Sequence, residues 1–270
     1  MLEHKTIIWN DEKLNRLQNY YANNPEEEKN YFGFIVGRAI VEFCYFFKAN
    51  LDKCKVLDYG SGKGHITNFF LDRGIEMWGC DMSPEAVNYC NDKFKGFSNF
   101  HKVSLFDGRG LPYEDDFFDF VICTECIEHV LPEHMNNLLD EIYRILVPGG
   151  IILITTPNEE DMKKAEIYCP QCDMYFHKYG HVGRYSKESL TELMEEHKYK
   201  TVMCQGTDFM HYQKYVIHPS YLDMSIRGIK EQLKKEWIKL TDKKRGMDSK
   251  VFKKITNLKK NPNLFYIGTK

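Results

Sequence analysis

The feature that most constrains this chain is a glycine triplet closing an apolar run, Lys55-Val-Leu-Asp58-Tyr-Gly60-Ser-Gly62-Lys-Gly64. KVLDYG reads as a buried strand ending at glycine, and SGKGHITNFFLDRG as a tight turn feeding a helix that stops near Gly74. Glycines at such a handover permit positive φ angles and close backbone approach, so a cofactor can lie against the helix N-terminus. The spacing is not that of a nucleotide triphosphatase loop, because Lys63 is followed by Gly64 and His65 rather than by a hydroxyl residue. By itself the triplet fits a merely tight turn as well as a cofactor loop.

The segments that follow keep a strand and helix rhythm. IEMWGCD is a second strand, Ser83-Pro84 caps and starts a helix through Lys93, and FHKVS is a short third strand. FFDFVICTE is a fourth strand and PEHMNNLLDEIYRIL a helix ended by Pro148, Gly149 and Gly150, before a fifth strand IILITTP. A helix over 186–197, a strand near 200–205, a basic helical insertion and a terminal strand LFYIGT complete the chain. Strands separated by helix-length intervals imply right-handed crossovers in a mainly parallel sheet. Ahead of the first strand, 11–24 suits one helix, Pro25 breaks it, and 31–47 suits a second.

Asp81 ends the second strand, where a carboxylate can accept both hydroxyls of a ribose, with a surface cap as the plain alternative. Asp107 follows the third strand and is placed to meet an exocyclic adenine amine. Asp119, at the start of the fourth strand, equally suits strand-edge structure.

With these acids in register, the chain resembles the class I S-adenosylmethionine-dependent methyltransferases, in particular the group containing ubiquinone-biosynthesis O-methyltransferases. VLDYGSGKG resembles their first motif, WGCDMS the ribose-binding segment, and SLFDGRGLPYEDDFFDFV the adenine-side acidic motif. ECIEHV followed by EIYRILVPGGIILITTPN is similar to their fourth strand, next helix and fifth strand. The resemblance is strong from Lys55 to Asn158; Tyr59 and Lys63 depart from the usual residue sizes without removing a glycine. It implies a Rossmann-like α/β fold, three layers around a mainly parallel seven-stranded sheet. It further implies cofactor contacts at Asp58, Gly60, Ser61, Gly62, Gly64, Asp81, Met82, Asp107 and Glu125. A nicotinamide-dependent oxidoreductase is the weaker reading of the loop alone.

In this resemblance a nucleophile attacks a sulfonium methyl in one displacement, and alignment of the reactants supplies much of the rate. If the acceptor is a hydroxyl, a neutral imidazole can take its proton, and His129 is the first choice, with a helix-capping role as the alternative. Glu125, Glu128 and His129 with His181 also resemble the metal site of bacterial RNA 3'-terminal 2'-O-methyltransferases, in which an ion binds the terminal diol and acidifies the attacked hydroxyl.

Residues 159–185 carry a competing metal pattern. Cys169-Pro-Gln-Cys172 followed by His177 and His181 offers two thiolates and two imidazoles, a set suited to a structural zinc knuckle. An unmetallated turn, or redox or substrate contacts, are the alternatives. Tyr175, Phe176, Tyr179 and Tyr185 are placed either to line an acceptor pocket or to pack around the metal. His181 cannot serve both the zinc set and the Glu125, Glu128 and His129 set.

Charge bears on partners. The whole chain carries −2, which argues against a general nucleic-acid binder, yet 227–260 holds thirteen Lys or Arg against four Asp or Glu. From just before that segment into it, Ile226, Ile229, Leu233, Trp237 and Leu240 can share one helical side. A basic helix on an acidic body suits packing over the sheet, or an anionic small-molecule acceptor. Nine cysteines without a compact disulfide framework, and an N-terminus without a signal-peptide pattern, suggest a reducing, cytoplasmic setting. Arg38 and Glu42 interrupt the apolar run at 31–47, so stable membrane insertion is not expected.

The expected organisation is an N-terminal helical cap over 1–50, a methyltransferase core over 51–218, a basic insertion over 219–260 and a core strand over 261–270. The expected function is methyl transfer from S-adenosylmethionine to oxygen of a small molecule or glycan-related metabolite. The alternatives are metal-dependent RNA 3'-terminal 2'-O-methylation and a noncatalytic zinc-containing binding protein.

Overall fold

The computed structural model describes residues 4–24, 26–106, 110–211 and 261–270. Asp107 and the basic segment at 219–260 therefore lie outside the described residues. The central sheet has seven strands in the order β3-β2-β1-β4-β5-β9-β8. These are β1 (Lys55–Tyr59), β2 (Glu76–Asp81), β3 (Phe100–Leu105), β4 (Phe118–Thr124), β5 (Leu146–Pro157), β8 (Lys200–Thr207) and β9 (Asn263–Thr269). The first five strands pair in parallel, and β9 runs antiparallel between β5 and β8.

Side chains along each strand alternate between two cores, as a two-residue period requires. Val56, Phe120, Ile122, Leu153, Phe265 and Ile267 pack on one face with α2 (Phe32–Phe47), α3 (His65–Leu71) and α4 (Pro84–Phe94). Their neighbours Leu57, Val121, Cys123, Ile152, Leu264 and Tyr266 pack on the other with α5 (Pro132–Ile145) and α6 (Lys187–Glu196). The protein is thus a three-layer α/β/α sandwich around a mainly parallel seven-stranded sheet. The apolar run at 31–47 forms α2, where Val36, Ala39, Ile40, Val41 and Phe43 are fully buried. Among the described residues no helix is long and apolar enough to cross a membrane.

Local chemistry sets the element ends. Asn10 caps α1 (Asp11–Ala22) by accepting Lys13 N–H, Ser83 caps α4 by accepting Ala86 N–H, and Ser186 and Ser189 form a reciprocal capping box on α6. The fifth strand begins earlier than the Pro148-Gly149-Gly150 stop suggests. α5 ends at Ile145, β5 starts at Leu146, and the register between β4 and β5 shifts between Phe118 and Phe120. The Pro-Gly-Gly stretch is absorbed inside the strand as an irregularity of pairing.

A second, two-stranded sheet joins β6 (Glu166–Cys169) to β7 (Met174–His177), antiparallel, with Glu166 opposite His177 and Cys169 opposite Met174. The N-terminal segment docks on it, with Ile7 N–H donating to Tyr175 O at 2.9 Å and Tyr175 N–H to Lys5 O at 2.7 Å.

Candidate functional site

The strand order reverses between β1 and β4, and ligands of open parallel sheets bind at the carboxyl ends of the strands beside such a reversal. The glycine loop follows β1 and the Glu125–His129 segment follows β4, so the fold brings them side by side. A Cβ on Gly60 would lie 2.9 Å from Cys126 Sγ.

Each glycine of the triplet is needed for a different reason. Gly60, Gly62 and Gly64 all have positive φ, at 72°, 49° and 67°. A side chain on Gly64 would run into the Phe94 ring, so this glycine admits α4. A Cβ on Gly62 would meet nothing within 4 Å among the described residues, which leave an open face over the loop. Gly60 and Ser61 N–H groups both donate to Cys80 O, at 2.9 and 3.1 Å, and bind the loop to the end of β2.

Asp81 sits at that end. Its carboxylate accepts Gly62 N–H at 2.8 Å and Ser83 N–H at 2.9 Å, which orients both oxygens, and burial pushes its pKa up. Met82 beside it is 48% exposed, an apolar surface left uncovered at the rim. Ser61 Oγ is buried without a hydrogen-bond partner among the described residues. Asp58 is buried, accepts Thr67 Oγ–H at 2.6 Å, and burial outweighs that bond to raise its pKa to about 7. Asp119 serves the strand edge, accepting Lys55 N–H at 2.9 Å.

The segment after β4 turns sharply. Glu125 adopts φ 47° and donates its N–H to Thr155 O at 2.8 Å. Burial raises its carboxyl to about 7, and Oε1 lacks a hydrogen-bond partner. Glu128 is 1% exposed; one carboxylate oxygen accepts Thr156 Oγ–H at 2.9 Å while Oε1 has no partner. Its backbone carbonyl accepts Val182 and Gly183 N–H at 2.7 and 2.9 Å, clipping the segment beyond His181 onto this turn.

His129 lies in a short 3-10 turn rather than capping α5, whose N-cap is Leu131. Its Nδ1 is 3.1 Å from Gln18 Nε2 and 3.3 Å from Gly180 O. Burial, followed by the charge of His181, drives its pKa down to about 3. Such a ring is a weak proton acceptor but keeps a lone pair for a cation. Its centroid stands 4.7 Å from that of His181, and donor atoms of Glu128, His129 and His181 all lie within 4.8 Å of one another.

A second group shares His181. Glu160 approaches His181 Nδ1 at 2.5 Å and His177 Nε2 at 3.3 Å, and the two imidazoles stack at 4.3 Å. The sequence reading of a Cys169, Cys172, His177 and His181 zinc shell is not what the structure assembles. The cysteines occupy the tip of the β6–β7 hairpin and His177 its base, three residues apart along an extended strand and hence about 10 Å. The cause is the hairpin itself: extended pairing separates residues that a compact knuckle would fold together. Cys172 is exposed, and among the described residues neither cysteine belongs to a group of three donors.

The aromatic residues also divide. Tyr175 stacks on His4 at 4.4 Å, Phe176 meets Trp9 edge-on at 6.2 Å, and Tyr179 leans on Tyr21 at 5.9 Å. They pack the N-terminal segment and α1. Tyr185 donates to Ile127 O at 3.3 Å beneath the site. Glu160 and Gln18 belong to the site and carry no sequence signal beyond the position of Glu160 just after a strand end.

Comparison with known proteins gives a family match over residues 37–203, to a profile described as a methyltransferase domain. Norajmaline N-methyltransferase of Rauvolfia serpentina is 33% identical over 124 residues, 41% of either chain. The biotin biosynthesis bifunctional protein BioHC of Cellvibrio japonicus is 26% identical over 147 residues, 54% of this chain and 28% of that one. The chain thus spans less than half the length of these curated relatives. Among solved structures, the 1,6-didemethyltoxoflavin-N1-methyltransferase of Burkholderia thailandensis, with its substrate and S-adenosylhomocysteine bound, superposes with a TM-score of 0.60 at 13% identity. That match covers 98% of this chain and 92% of the other. The putative methyltransferase in complex with the Trm112 activator of Haloferax volcanii gives 0.58 at 16% identity, covering 97% and 99%. At these identities the structural likeness concerns the fold.

Proposed function

The chain belongs to the methyltransferase-domain family, and from that premise we propose that it carries the methyl group of S-adenosylmethionine to an oxygen of a small-molecule or glycan-related acceptor held beside Glu128 and His129. The observation that supports this most is the contact of the glycine loop with the segment after β4, where Gly60 meets Cys126. Relatives act on different atoms by their printed names, nitrogen in the norajmaline enzyme and carbon in the ubiquinone/menaquinone enzyme of Neisseria meningitidis. Oxygen therefore rests on the Glu128, His129 and His181 group.

The crevice fits the cofactor. Bound S-adenosylmethionine supplies an electrophilic methyl. Asp81, pinned by two backbone N–H groups, keeps lone pairs free for the ribose hydroxyls. The open face of Gly62 admits the cofactor backbone, Ser61 Oγ offers an unused hydroxyl, and Met82 offers an apolar cover. The buried carboxylate of Asp58 provides negative charge toward a cationic ligand. The adenine-side role of Asp107 belongs to a residue outside the described ones.

The donor set also fits a divalent cation. Glu128 keeps an unpartnered buried oxygen among the described residues, and two imidazoles, His129 and His181, complete a mixed oxygen and nitrogen set that suits magnesium, manganese or a late transition ion. Such an ion would make an acceptor hydroxyl more acidic. The protein's own part is to orient the acceptor at His129, to exclude water through α1 and the 177–183 segment, and to align the hydroxyl with the methyl.

The same group favours a second reading, metal-dependent methylation of the 2'-hydroxyl at an RNA 3'-end, since Glu128, His129 and His181 gather in the segment after β4, with Glu125 in the turn just before them. Incubation with methyl-labelled S-adenosylmethionine and manganese tests both. Label on hydroxyl-bearing small molecules or sugars, lost with a chelator, supports the first reading. Label on RNA with a free 3'-terminal diol but not on 3'-phosphorylated RNA replaces it with the second. Label on amines alone overturns both.

A further inference from the structure

The structure assigns Glu160 as a positioning residue that, with His177, fixes which nitrogen of His181 is offered to a divalent cation at Glu128 and His129. The inference rests on the cation reading above and deepens it.

Three observations define the arrangement. His181 N–H donates to His177 Nδ1 at 3.1 Å, so the His177 proton resides on Nε2, the atom 3.3 Å from Glu160 Oε1. That contact is not well enough aligned to count as a hydrogen bond, and Nε2 has no other partner. The other carboxylate oxygen of Glu160 lies 2.5 Å from His181 Nδ1. An ionised carboxylate only accepts, so His181 carries its proton on Nδ1 and leaves the Nε2 lone pair free.

This logic separates the two donor groups that share His181. In Glu160, His177 and His181, both imidazoles turn N–H toward the carboxylate. A cation there would require His177 to present a lone pair at Nε2 and therefore a proton at Nδ1, against the incoming backbone N–H. In Glu128, His129 and His181, one carboxylate oxygen and one nitrogen of each imidazole lie within 4.8 Å of one another, and with Nδ1 of His181 engaged by Glu160 the nitrogen assigned to this group is Nε2. The first group supports and the second binds, as in carboxylate–histidine–metal triads.

The supporting carboxylate is itself held. Its backbone carbonyl accepts Arg184 Nε–H at 2.9 Å, and Glu159 N–H donates to Tyr185 O at 2.9 Å. The segment carrying His181 is clipped to Glu128 through Val182 and Gly183. Both sides of the Glu160–His181 bond are thus anchored independently of any ligand.

Calorimetric titration of the purified full chain with Co2+, without acceptor or S-adenosylmethionine, tests the assignment. Glu160→Gln keeps the shape but can turn an amide N–H toward Nδ1, which drives the His181 proton to Nε2. We expect a loss of Co2+ affinity of about 10- to 100-fold, with a changed cobalt absorption spectrum. Nitrogen NMR of His181 in the metal-free protein should report a proton on Nδ1 in wild type and on Nε2 in the variant. Glu160→Asp, which shortens the reach, should fall between and serves if Glu160→Gln does not fold. His129→Ala should abolish binding, and His177→Ala should weaken it less than Glu160→Gln. Unchanged affinity and tautomer in folded Glu160→Gln, with binding lost in His129→Ala, overturns the role of Glu160 and leaves the cation reading standing. Binding that survives His129→Ala overturns the cation reading; if it is then lost in His177→Ala, the ion sits in the other group.

Discussion

Gly60 and Cys126 approach so closely that a single methyl on the glycine would stand 2.9 Å from the cysteine sulfur. This contact ties the loop after β1 to the turn after β4, the two segments that meet where the strand order reverses. Any residue but glycine at 60 would push them apart or leave its own φ strained.

That closeness separates the three loop-type glycines that a melting and binding comparison can distinguish. Gly62→Ala and Gly74→Ala both place a side chain at positive φ, 49° and 73°, with nothing within 4 Å of the added carbon. Each should cost about 1–2 kcal/mol of stability from backbone strain. Only Gly62→Ala should also weaken S-adenosylhomocysteine binding, by about tenfold or more, because its open face is part of the proposed cofactor site. Equal cofactor affinities in the two variants would remove Gly62 from the binding loop.

Asp81→Ala should weaken S-adenosylmethionine by about 1–3 kcal/mol, the range for losing hydrogen bonds to a charged group. The carboxylate also braces Gly62 and Ser83 N–H, so the melting temperature should drop modestly as well. Calorimetry on the folded variant checks the assignment, and wild-type affinity contradicts it.

Asp58 should make the cofactor-free protein pH-dependent in a defined direction. Burial raises its folded pKa to about 7, above the unfolded value, so the folded state holds this proton more tightly. Its stabilising contribution is complete below the unfolded pKa and is lost as pH rises through about 7. Asp58→Asn, which cannot ionise, should therefore raise the melting temperature at pH 8 relative to wild type and change it little at pH 4. It should also bind S-adenosylmethionine more weakly at pH 8. A destabilised variant at pH 8 would show that the ionised carboxylate is favoured in the free protein.

Cys172→Ser should leave divalent-cation content and melting temperature unchanged, because the hairpin tip stands away from the imidazoles. Metal analysis of the purified variant decides this. Loss of one bound zinc would restore the sequence-based knuckle.

How much was readable in advance follows from the range of the interactions. The five parallel strands were legible because each is an apolar run bounded by glycine, proline or a helix cap, all local signals. The roles of Gly60 and Gly64 were legible as a type but not in detail, since their partners Cys126 and Phe94 lie far along the chain. The placement of 169–181 was not legible because Cys and His spacing measures distance along the chain, whereas a β-hairpin converts it into about 10 Å of separation. Glu160 was invisible: an acid after a strand looks solvated until the fold lays His177 and His181 against it.

In the proposed site, cofactor and acceptor meet between the Gly60–Gly64 loop and the Glu128, His129 and His181 group. The most direct test is a crystal structure with S-adenosylhomocysteine and Mn2+, read from the anomalous signal of the metal. We expect the ribose on Asp81 and a manganese peak bounded by Glu128, His129 and His181, on the side from which the methyl would leave. A cofactor bound away from Asp81, or a peak seated between Glu160 and His177 or at the cysteine pair, would contradict it.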